Sequence, residues 1–345
     1  MERDARRTIR ARGVAVHPGP GGTARHPDPG VRASARRDAS GRFLNPDGSN
    51  GGKTLGDIWR LQKHEGVGWP AVVAPPQVTS LPAVPPGHAG LTHIGHATTL
   101  IQIAGGPTLL IDPIWSERCS PVGWFGPKRV RPAALDFDAL PPLDAILVTH
   151  NHYDHCDLPT LRRLAARARV PVITGLGNAG LIAPTGLAPV TELDWWGEHV
   201  LADGTRLTYT PTQHGSARGP FDRCRALWGG FCIEAHGGRI LATGDTAWGP
   251  HLAEIGAELG PFDAALIPIG AYDPEWFMGS VHITPEQAVV AHHALRARVS
   301  LAMHWGVFRL SGEAINEPPA RLREARGEAD FRVPDFGETM MVRLG

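Results

Sequence analysis

The length, composition and charge of the chain exclude several classes of protein. With 345 residues, of which 42% are hydrophobic, the chain is long enough for one large domain or two ordinary ones, and wholesale disorder is excluded. Basic and acidic residues number 34 each, so no net charge favours nucleic acid as a partner. Four cysteines without a C-x-x-C pair predict reduced thiols in a cytoplasm. No stretch approaches the roughly 20 apolar residues that a membrane span requires.

The composition along the chain predicts three segments. Residues 1–50 are rich in arginine and poor in large apolar side chains, which is typical of a flexible basic arm. Residues 51–88 form a proline-rich lead-in, within which TLGDIWRL (54–61) predicts a short helix. Residues 89–345 alternate apolar runs with turn residues, and we expect them to form one folded domain.

The elements predicted in the third segment favour an α/β fold, an αββα sandwich of two packed mixed sheets with outer helices. The 42 glycines and 32 prolines also favour a strand-rich fold over a helical bundle. One helix is predicted to begin after Thr284, because TPEQ is a capping box with proline at the first helical position. The other predicted elements, in chain order, are a hairpin from HATTLIQIA to PTLLIDP, the strand DAILVTH (144–150), the helix PTLRRLAARARV, the strand LTYTPTQH (207–214), a hairpin from ALWGGFCIEA to RILATGDT, the helix LAEIGAEL (252–259), and the strands AALIPIG (264–270), SLAMHWG (300–306) and ETMMVRL (338–344).

Histidine or aspartate stands at the end of four of these predicted strands. His150 follows DAILVT, His214 follows LTYTPTQ, Asp245 follows ILATG and His304 follows SLAM. A buried strand that delivers an imidazole or a carboxylate to its end provides a rigid scaffold for a site. A lone histidine in such a place is more often an ordinary core residue than a metal ligand.

The stretch HNHYDH (150–155) makes that ordinary interpretation untenable for this cluster. His150 and His152 are two residues apart, so an extended backbone directs both side chains the same way. Asp154 and His155 follow where the chain turns into the next helix, and they can face an adjacent point. Burying four such groups unpaired would be very costly. The stretch therefore predicts ligands for two neighbouring metal ions.

The ligand types favour two zinc ions. Zn²⁺ prefers imidazole nitrogen and carboxylate oxygen, and a catalytic site keeps three protein ligands and one open position. Asp245 would bridge the two ions at the roughly 3.5–4 Å separation of two-metal hydrolases. The predicted sets are His150, His152 and His214 for one ion, and Asp154, His155 and His304 for the other.

The same residues resemble a known family. H-x-H-x-D-H followed by single histidine, aspartate and histidine at strand ends is similar to the metallo-β-lactamase fold superfamily. Within it, the resemblance is to the N-acylphosphatidylethanolamine-hydrolysing phospholipase D family and its bacterial relatives. The stretches that carry this narrower resemblance include GRFLNP (41–46), IGHAT (94–98), IDPIWSERCSP (111–121), GPKRVR (126–131), ELDWW (192–196), GPFDAALIPIGAY (260–272) and MHWG (303–306).

The resemblance implies a zinc-dependent phosphodiesterase that releases N-acylethanolamine and phosphatidic acid. Zinc lowers the pKa of bound water from about 15.7 toward 7, so a hydroxide oriented by Asp154 or Asp245 would attack the phosphorus. His282, in SVHITP, would contact the substrate as a hydrogen-bond donor. The human-type member of the family carries glutamine just before this histidine, whereas this chain has Val281, which removes one hydrogen bond. Relatives also imply a homodimer.

A phospholipid substrate would bring the protein into peripheral contact with a membrane, at its inner face for a cytoplasmic protein. Trp124 and Phe125 would lie at the headgroup level, and Lys128, Arg129 and Arg131 would attract anionic lipid. Alternatively, the tryptophan packs on the core and the cations are solvated.

Tyr153 is a further candidate for substrate contact, with packing as the alternative. For His282 the alternative is an ordinary residue at a helix entry. Two other functions stay open. One is hydrolysis of a lactone, a lactam or another phosphoester on the same metal pair. The other is a zinc-binding scaffold without turnover.

Overall fold

The computed structural model describes residues 32–74 and 78–345 of the chain. Within them, two seven-stranded mixed sheets pack face to face, and helices cover the outer face of each sheet. The predicted αββα sandwich is therefore confirmed. Residues 1–31 of the predicted basic arm lie outside the described residues.

The first sheet has an antiparallel half and a parallel half. Its seven strands are β1 (His88–Gly95), β2 (Thr98–Ile103), β3 (Thr108–Ile111), β4 (Ala145–Val148), β5 (Val172–Gly175), β6 (Val190–Leu193) and β14 (Thr339–Arg343). They lie in the order β14-β1-β2-β3-β4-β5-β6. The pairs from β14 to β3 are antiparallel, and those from β3 to β6 are parallel.

The second sheet repeats this plan. Its strands are β7 (Glu198–Val200), β8 (Arg206–Thr210), β9 (Gly230–Ala235), β10 (Gly238–Ala242), β11 (Phe262–Pro268), β12 (Ala297–Met303) and β13 (Phe331–Arg332), in the order β13-β12-β11-β10-β9-β8-β7. The pairs from β7 to β10 are antiparallel and those from β10 to β13 are parallel. Strand β8 is shorter than predicted, because Pro211 has no N–H to donate to the ladder.

The helices are short and lie on the outside of the two sheets. The capping box predicted at Thr284 is present, with the Thr284 hydroxyl accepting from the Gln287 N–H and the Gln287 side chain accepting from the Thr284 N–H. No helix in the described part of the chain has the length and apolar character to cross a bilayer. The helices are α1 (Leu55–Leu61), α2 (Leu158–Arg167), α3 (Ala179–Ile182), α4 (His251–Glu258), α5 (Glu275–Met278), α6 (Pro285–Ala294) and α7 (Glu317–Ala325), with 3₁₀ turns at Phe137–Ala139 and Ala183–Thr185.

Strand β4 shows why this sequence folds in layers. Successive side chains of a strand point to opposite faces, and every residue of β4 is apolar and buried. Ile146 and Val148 pack outward in one cluster with Leu161 of α2, whereas Leu147 packs inward in a cluster that includes Leu266 of β11. Burying one such leucine contributes about 1.5–3 kcal/mol. The apolar runs therefore require cover on both faces of the sheet.

The segment before the sandwich differs from the predicted flexible arm. Phe43 is only 1% exposed and packs in the core between the sheets, and its N–H donates to the Cys224 carbonyl at 2.7 Å. Asn45 is completely buried. An aromatic ring that fills the core outweighs the basic composition around it, so residues 43–45 belong to the folded domain.

The two sheets are joined by backbone hydrogen bonds at one edge. The His304 N–H donates to the His96 carbonyl at 2.9 Å, and the Gly229 N–H donates to the Thr149 carbonyl at 3.1 Å. His304 directly follows the parallel strand β12, and Thr149 directly follows the parallel strand β4. The carboxyl ends of the parallel strands in both sheets therefore meet along this edge.

Candidate metal centre

The stretch 150–155 forms a tight turn between β4 and α2. The N–H groups of His155 and Cys156 both donate to the His152 carbonyl, at 3.2 and 2.9 Å. Helix α2 can begin only after this turn, with a proline in its first turn. The turn folds Asp154 and His155 back beside His150, so the local sequence presents four polar side chains at the joined edge of the two sheets.

One set of predicted ligands is made of three imidazoles. The His152 Nδ1 atom lies 2.9 Å from His150 Nε2 and 3.1 Å from His214 Nε2. His150 follows β4 of the first sheet, and His214 lies in the loop after β8 of the second sheet. The three nitrogen atoms converge on one point, as ligands of one ion do.

The second predicted set lies beside the first. The Asp154 Oδ2 atom is 3.2 Å from His304 Nε2 and 3.4 Å from His155 Nε2. The Asp245 Oδ2 atom is 3.1 Å from His155 Nε2, 3.0 Å from His304 Nε2 and 3.7 Å from His214 Nε2. The structure thus brings all seven predicted ligands together, with Asp245 between the two sets.

The buried atoms of this cluster fit bound cations. Asp245 Oδ1 is buried and has no hydrogen-bond partner, and His155 Nε2 is buried and lies 3.1 Å from Asp245 Oδ2 without the geometry of a hydrogen bond. Buried polar atoms in folded proteins are nearly always paired. Divalent ions would satisfy both atoms, and imidazole nitrogen with carboxylate oxygen is the donor set that Zn²⁺ prefers.

The protonation of the imidazoles also fits metal binding. Burial lowers the pKa of His150 well below its usual value, that of His152 to about 3, and that of His214 in the same direction. These three rings are therefore neutral near pH 7, which is the form that binds a metal.

The two carboxylates of the cluster are ionised. Burial raises the pKa of both Asp154 and Asp245, but the charge of His155 and the contacts of both carboxylates with His155 and His304 together hold each pKa well below its usual range. Burial likewise opposes the charged form of His304, but the Asp245 and Asp154 carboxylates together raise its pKa to about 9. Without an ion, protons on His155 and His304 compensate the buried negative charge, and a divalent cation would replace them.

Asp112 contacts the ligand cluster, and it was not among the site residues predicted from the sequence. It directly follows β3, and its Oδ2 atom is 2.7 Å from His155 Nδ1 and accepts from the Thr149 hydroxyl at 2.6 Å. Its Oδ1 atom accepts from the Thr149 N–H at 2.8 Å. A carboxylate on the second nitrogen of a ligand imidazole orients the ring. An acid at the end of an apolar strand, the feature that identified Asp245, also marks Asp112.

His96 and Val281 hold other members of the cluster. His96 Nε2 lies 2.9 Å from Asp154 Oδ2, so His96 contacts the predicted ligands through a carboxylate. The Val281 carbonyl lies 2.7 Å from His214 Nδ1. The contact with Val281 occupies Nδ1 of His214 and leaves Nε2 facing His152.

A cavity of about 360 Å³ opens onto the cluster. His152, Asp154, His214 and Asp245 line its floor together with His282. The His282 ring centroid is 5.0 Å from that of His214, its Nδ1 atom is buried without a partner, and burial holds its pKa well below the usual value. The other lining residues include Lys53, Arg223, Phe277, Met278 and Leu310.

A family model now identifies the architecture. The model described as beta-lactamase superfamily domain matches residues 108–305, which is more than half of the chain. The chain belongs to the metallo-β-lactamase superfamily. Its cluster of potential metal ligands and its fold make it a metal-dependent hydrolase of that superfamily.

Relatives place this superfamily member more narrowly. The chain is 39% identical over 266 residues to N-acyl-phosphatidylethanolamine-hydrolyzing phospholipase D 1 of Caenorhabditis elegans, covering 72% of this chain and 74% of the relative. It is 30% identical over 250 residues to a metal-dependent hydrolase of Pyrobaculum aerophilum, covering 72% of this chain and 97% of the relative. A metallo hydrolase structure from Ignicoccus hospitalis shares the fold, with a TM-score of 0.56 and 24% identity over 74% of this chain and 98% of that one.

The predicted substrate contacts of this hydrolase fall into two groups. Tyr153 does not line the cavity; its hydroxyl donates to the Arg218 carbonyl at 2.6 Å, and the Arg218 guanidinium stacks 3.9 Å from its ring. These contacts give Tyr153 a packing role. Trp124 and Phe125 project from their loop, with 80% and 68% of their surface exposed.

Two cations predicted to attract lipid are buried instead. Arg129 donates to the Ile114 carbonyl at 2.8 Å and lies over the Phe308 ring, and Arg131 lies 4.1 Å from the Phe336 ring centroid. Burial disfavours the charged form of both side chains and lowers the pKa of Arg129 to about 10. The carbonyl oxygens and aromatic faces compensate part of this desolvation. Lys128 is exposed and pairs with Glu117 at 2.8 Å.

Proposed function

We propose that the protein is a dinuclear zinc-dependent phosphodiesterase that cleaves N-acylphosphatidylethanolamine into N-acylethanolamine and phosphatidic acid. The observation that carries the proposal is the pair of ligand sets meeting at Asp245 on the floor of a cavity. The 39% identity to the N-acyl-phosphatidylethanolamine-hydrolyzing phospholipase D 1 of Caenorhabditis elegans supports the choice of substrate. The donor set of five imidazoles and two carboxylates supports zinc.

The cavity wall suits a lipid phosphodiester. Phe277, Met278 and Leu310 offer an apolar surface for an acyl chain, while Lys53 and Arg223 offer positive charge for the phosphate. The Lys53 ammonium also bonds to Ser280 Oγ at 2.6 Å and lies over the Phe277 ring, so it is held at the cavity wall. A substrate with one anionic group and a long apolar tail matches both features.

The residues around the cavity would have different roles in the reaction. When bound, the two ions would supply an activated water nucleophile and neutralise charge on the phosphate oxygens. Asp154 faces the cavity with Oδ2 held by His96 and His304, which suits it to orient a water molecule. The neutral His282 ring, which also lines the cavity, can donate an N–H to a phosphate oxygen or to the leaving alkoxide.

Membrane contact through residues 120–128 belongs to the same proposal. Trp124 and Phe125 are adjacent exposed aromatic side chains, and the exposed Lys128 lies near them in sequence. Aromatic side chains and cations of this kind favour the headgroup region of a bilayer. The homodimer and the cytoplasmic location expected above stay predictions.

An activity panel on the purified, zinc-loaded protein tests the proposed function. It contains N-acylphosphatidylethanolamine, a lactone, a lactam and an aryl phosphodiester, each assayed with and without a chelator. We expect N-acylphosphatidylethanolamine to be cleaved faster than the other three substrates, with release of N-acylethanolamine. We expect the chelator to stop this reaction. Faster turnover of the lactone or lactam would overturn the substrate assignment. If the protein binds two zinc ions but turns over none of the substrates, this result would favour the alternative of a zinc-binding scaffold without catalytic activity.

A further inference from the structure

The backbone of His214 is held from outside its own sheet. His214 lies four residues beyond the end of β8 at Thr210, so no strand ladder supports it. Its N–H donates to Asn45 Oδ1 at 2.9 Å, and its carbonyl accepts from Asn45 Nδ2 at 3.2 Å. Both backbone groups of a predicted ligand are therefore bonded to one side chain that comes from 169 positions away in sequence.

Asn45 is itself fixed in place. It is completely buried, and its Oδ1 atom also accepts from Trp228 Nε1 at 3.2 Å. Its N–H donates to the Ser49 carbonyl at 2.7 Å, which closes a turn. Phe43, two residues earlier, is anchored in the core between the sheets. A buried amide with these partners can adopt only one orientation without leaving a polar group unpaired.

A further contact joins the same two segments. Gln213, the residue before His214, donates from Nε2 to Asp47 Oδ2 at 2.7 Å. We call residues 43–50 the N-terminal clasp. The clasp lies outside the matched superfamily domain, residues 108–305.

The clasp constrains the direction of the His214 ring. Asn45 holds the backbone, and the Val281 carbonyl lies at 2.7 Å from Nδ1. Nε2 is then directed at the point shared with His150 and His152. Metal ligands function only when they are held within about 0.5 Å of their working geometry.

We propose that Asn45 is a positioning residue for the ion held by His150, His152 and His214, and that the clasp is part of the active site. The inference rests on the proposed zinc centre. Partners that orient metal ligands change metal affinity by about 10–100-fold when they are removed. Loss of the Asn45 amide should therefore weaken one zinc site and leave the set around Asp154 unchanged.

The test is a zinc titration of the full-length metal-free protein against a competing chelator dye. We expect wild type to bind two ions, and Asn45→Ala to bind one ion normally and the other about 10–100-fold more weakly. Asn178→Ala is the matched control, because Asn178 is also completely buried and its amide donates to the carbonyls of Gly175 and Leu227, at 2.9 and 3.2 Å. If Asn45→Ala weakens zinc binding only because the fold is less stable, Asn178→Ala should weaken zinc binding to the same extent.

The outcomes separate this inference from the proposed function. Two wild-type affinities in a folded Asn45→Ala variant would overturn the positioning role. If wild type itself binds no zinc, the proposed function fails instead. Should Asn45→Ala not fold, Asn45→Asp serves in its place, because it keeps the size and the acceptor but cannot donate to the His214 carbonyl. Unchanged zinc affinities in Asn45→Asp would then overturn the positioning role.

Discussion

At the scale of single residues, the centre is a group of buried polar atoms that have few partners except one another. His155 Nε2, His282 Nδ1 and Asp245 Oδ1 are all buried without hydrogen bonds. An unpaired buried polar group costs about 1–3 kcal/mol. Bound cations would explain a cluster that retains several such atoms. In the sequence, the stretch HNHYDH indicated such a cation site.

Replacement of His152 tests the proposed ligand set directly. His152→Ala should lower the affinity of one zinc site by more than the 10–100-fold typical of outer partners, and should abolish hydrolysis. The far-ultraviolet circular dichroism should match that of wild type, because His152 lies in a loop and not in a strand. The control is His199→Ala in β7, which should retain activity. Undiminished activity in His152→Ala would contradict the assignment.

Asp112 offers a second test, on a residue that binds no ion itself. Asp112→Asn keeps the size but replaces an acceptor for the His155 ring by an amide. We expect zinc affinity and kcat to fall about 10–100-fold. Asp157→Asn is the matched control, because Asp157 is also a buried carboxylate but bonds to Ser116 and Thr160. Equal affinities for the two variants in a chelator titration would remove Asp112 from the site.

At the scale of elements, strands and the loops that follow them have different roles. Strands β3, β4, β10 and β12 bring their carboxyl ends to one edge, and the loops beyond them carry Asp112, His150, Asp245 and His304. The strands were predictable because their apolar runs are local. The end of β8 was predicted too late, since the run LTYTPTQH hides the effect of Pro211 on the ladder.

The loop that carries Trp124 and Phe125 yields a prediction at this scale. Trp124→Ala should reduce binding to liposomes containing anionic lipid, because it removes most of an exposed aromatic surface. The measurement is cosedimentation over a range of lipid concentrations. Val200→Ala, at an exposed apolar position on the edge strand β7, should bind as wild type does. Equal partitioning of wild type and Trp124→Ala would exclude this loop as the membrane contact.

At the scale of the whole molecule, the centre joins the two sheets. His150 and His155 come from the first sheet, and His214, Asp245 and His304 come from the second. An ion bound between them links residues on both halves of the sandwich. Metal binding should therefore stabilise the packing of one sheet on the other, in addition to enabling catalysis.

Metal removal tests this link. An ion present at 100 times its Kd stabilises the folded state by about 2.7 kcal/mol per site. Chelation should therefore lower the thermal unfolding midpoint, and added zinc should restore it while magnesium should not, since magnesium disfavours imidazole ligands. Calorimetry on the metal-free and reloaded protein is the measurement. Identical midpoints for the two forms would contradict a bound ion between the sheets.

The sequence by itself determined the fold class and predicted which side chains form the metal-binding cluster. Apolar runs with strand periodicity, a capping box at Thr284 and the stretch HNHYDH are local patterns, so they can be interpreted without knowing which segments meet. The unbroken apolar run of β4 likewise required cover on both faces of the sheet.

Only the tertiary structure decided which partners support that centre. Nothing near Asn45 in sequence indicates that its amide bonds to the backbone of His214. In the same way, the burial of Arg129 and the packing of Tyr153 depend on Phe308 and Arg218, which are distant in the chain. The physical reason is that burial and hydrogen-bond partners are properties of contacts between remote segments, whereas sequence patterns report only on neighbours along the chain.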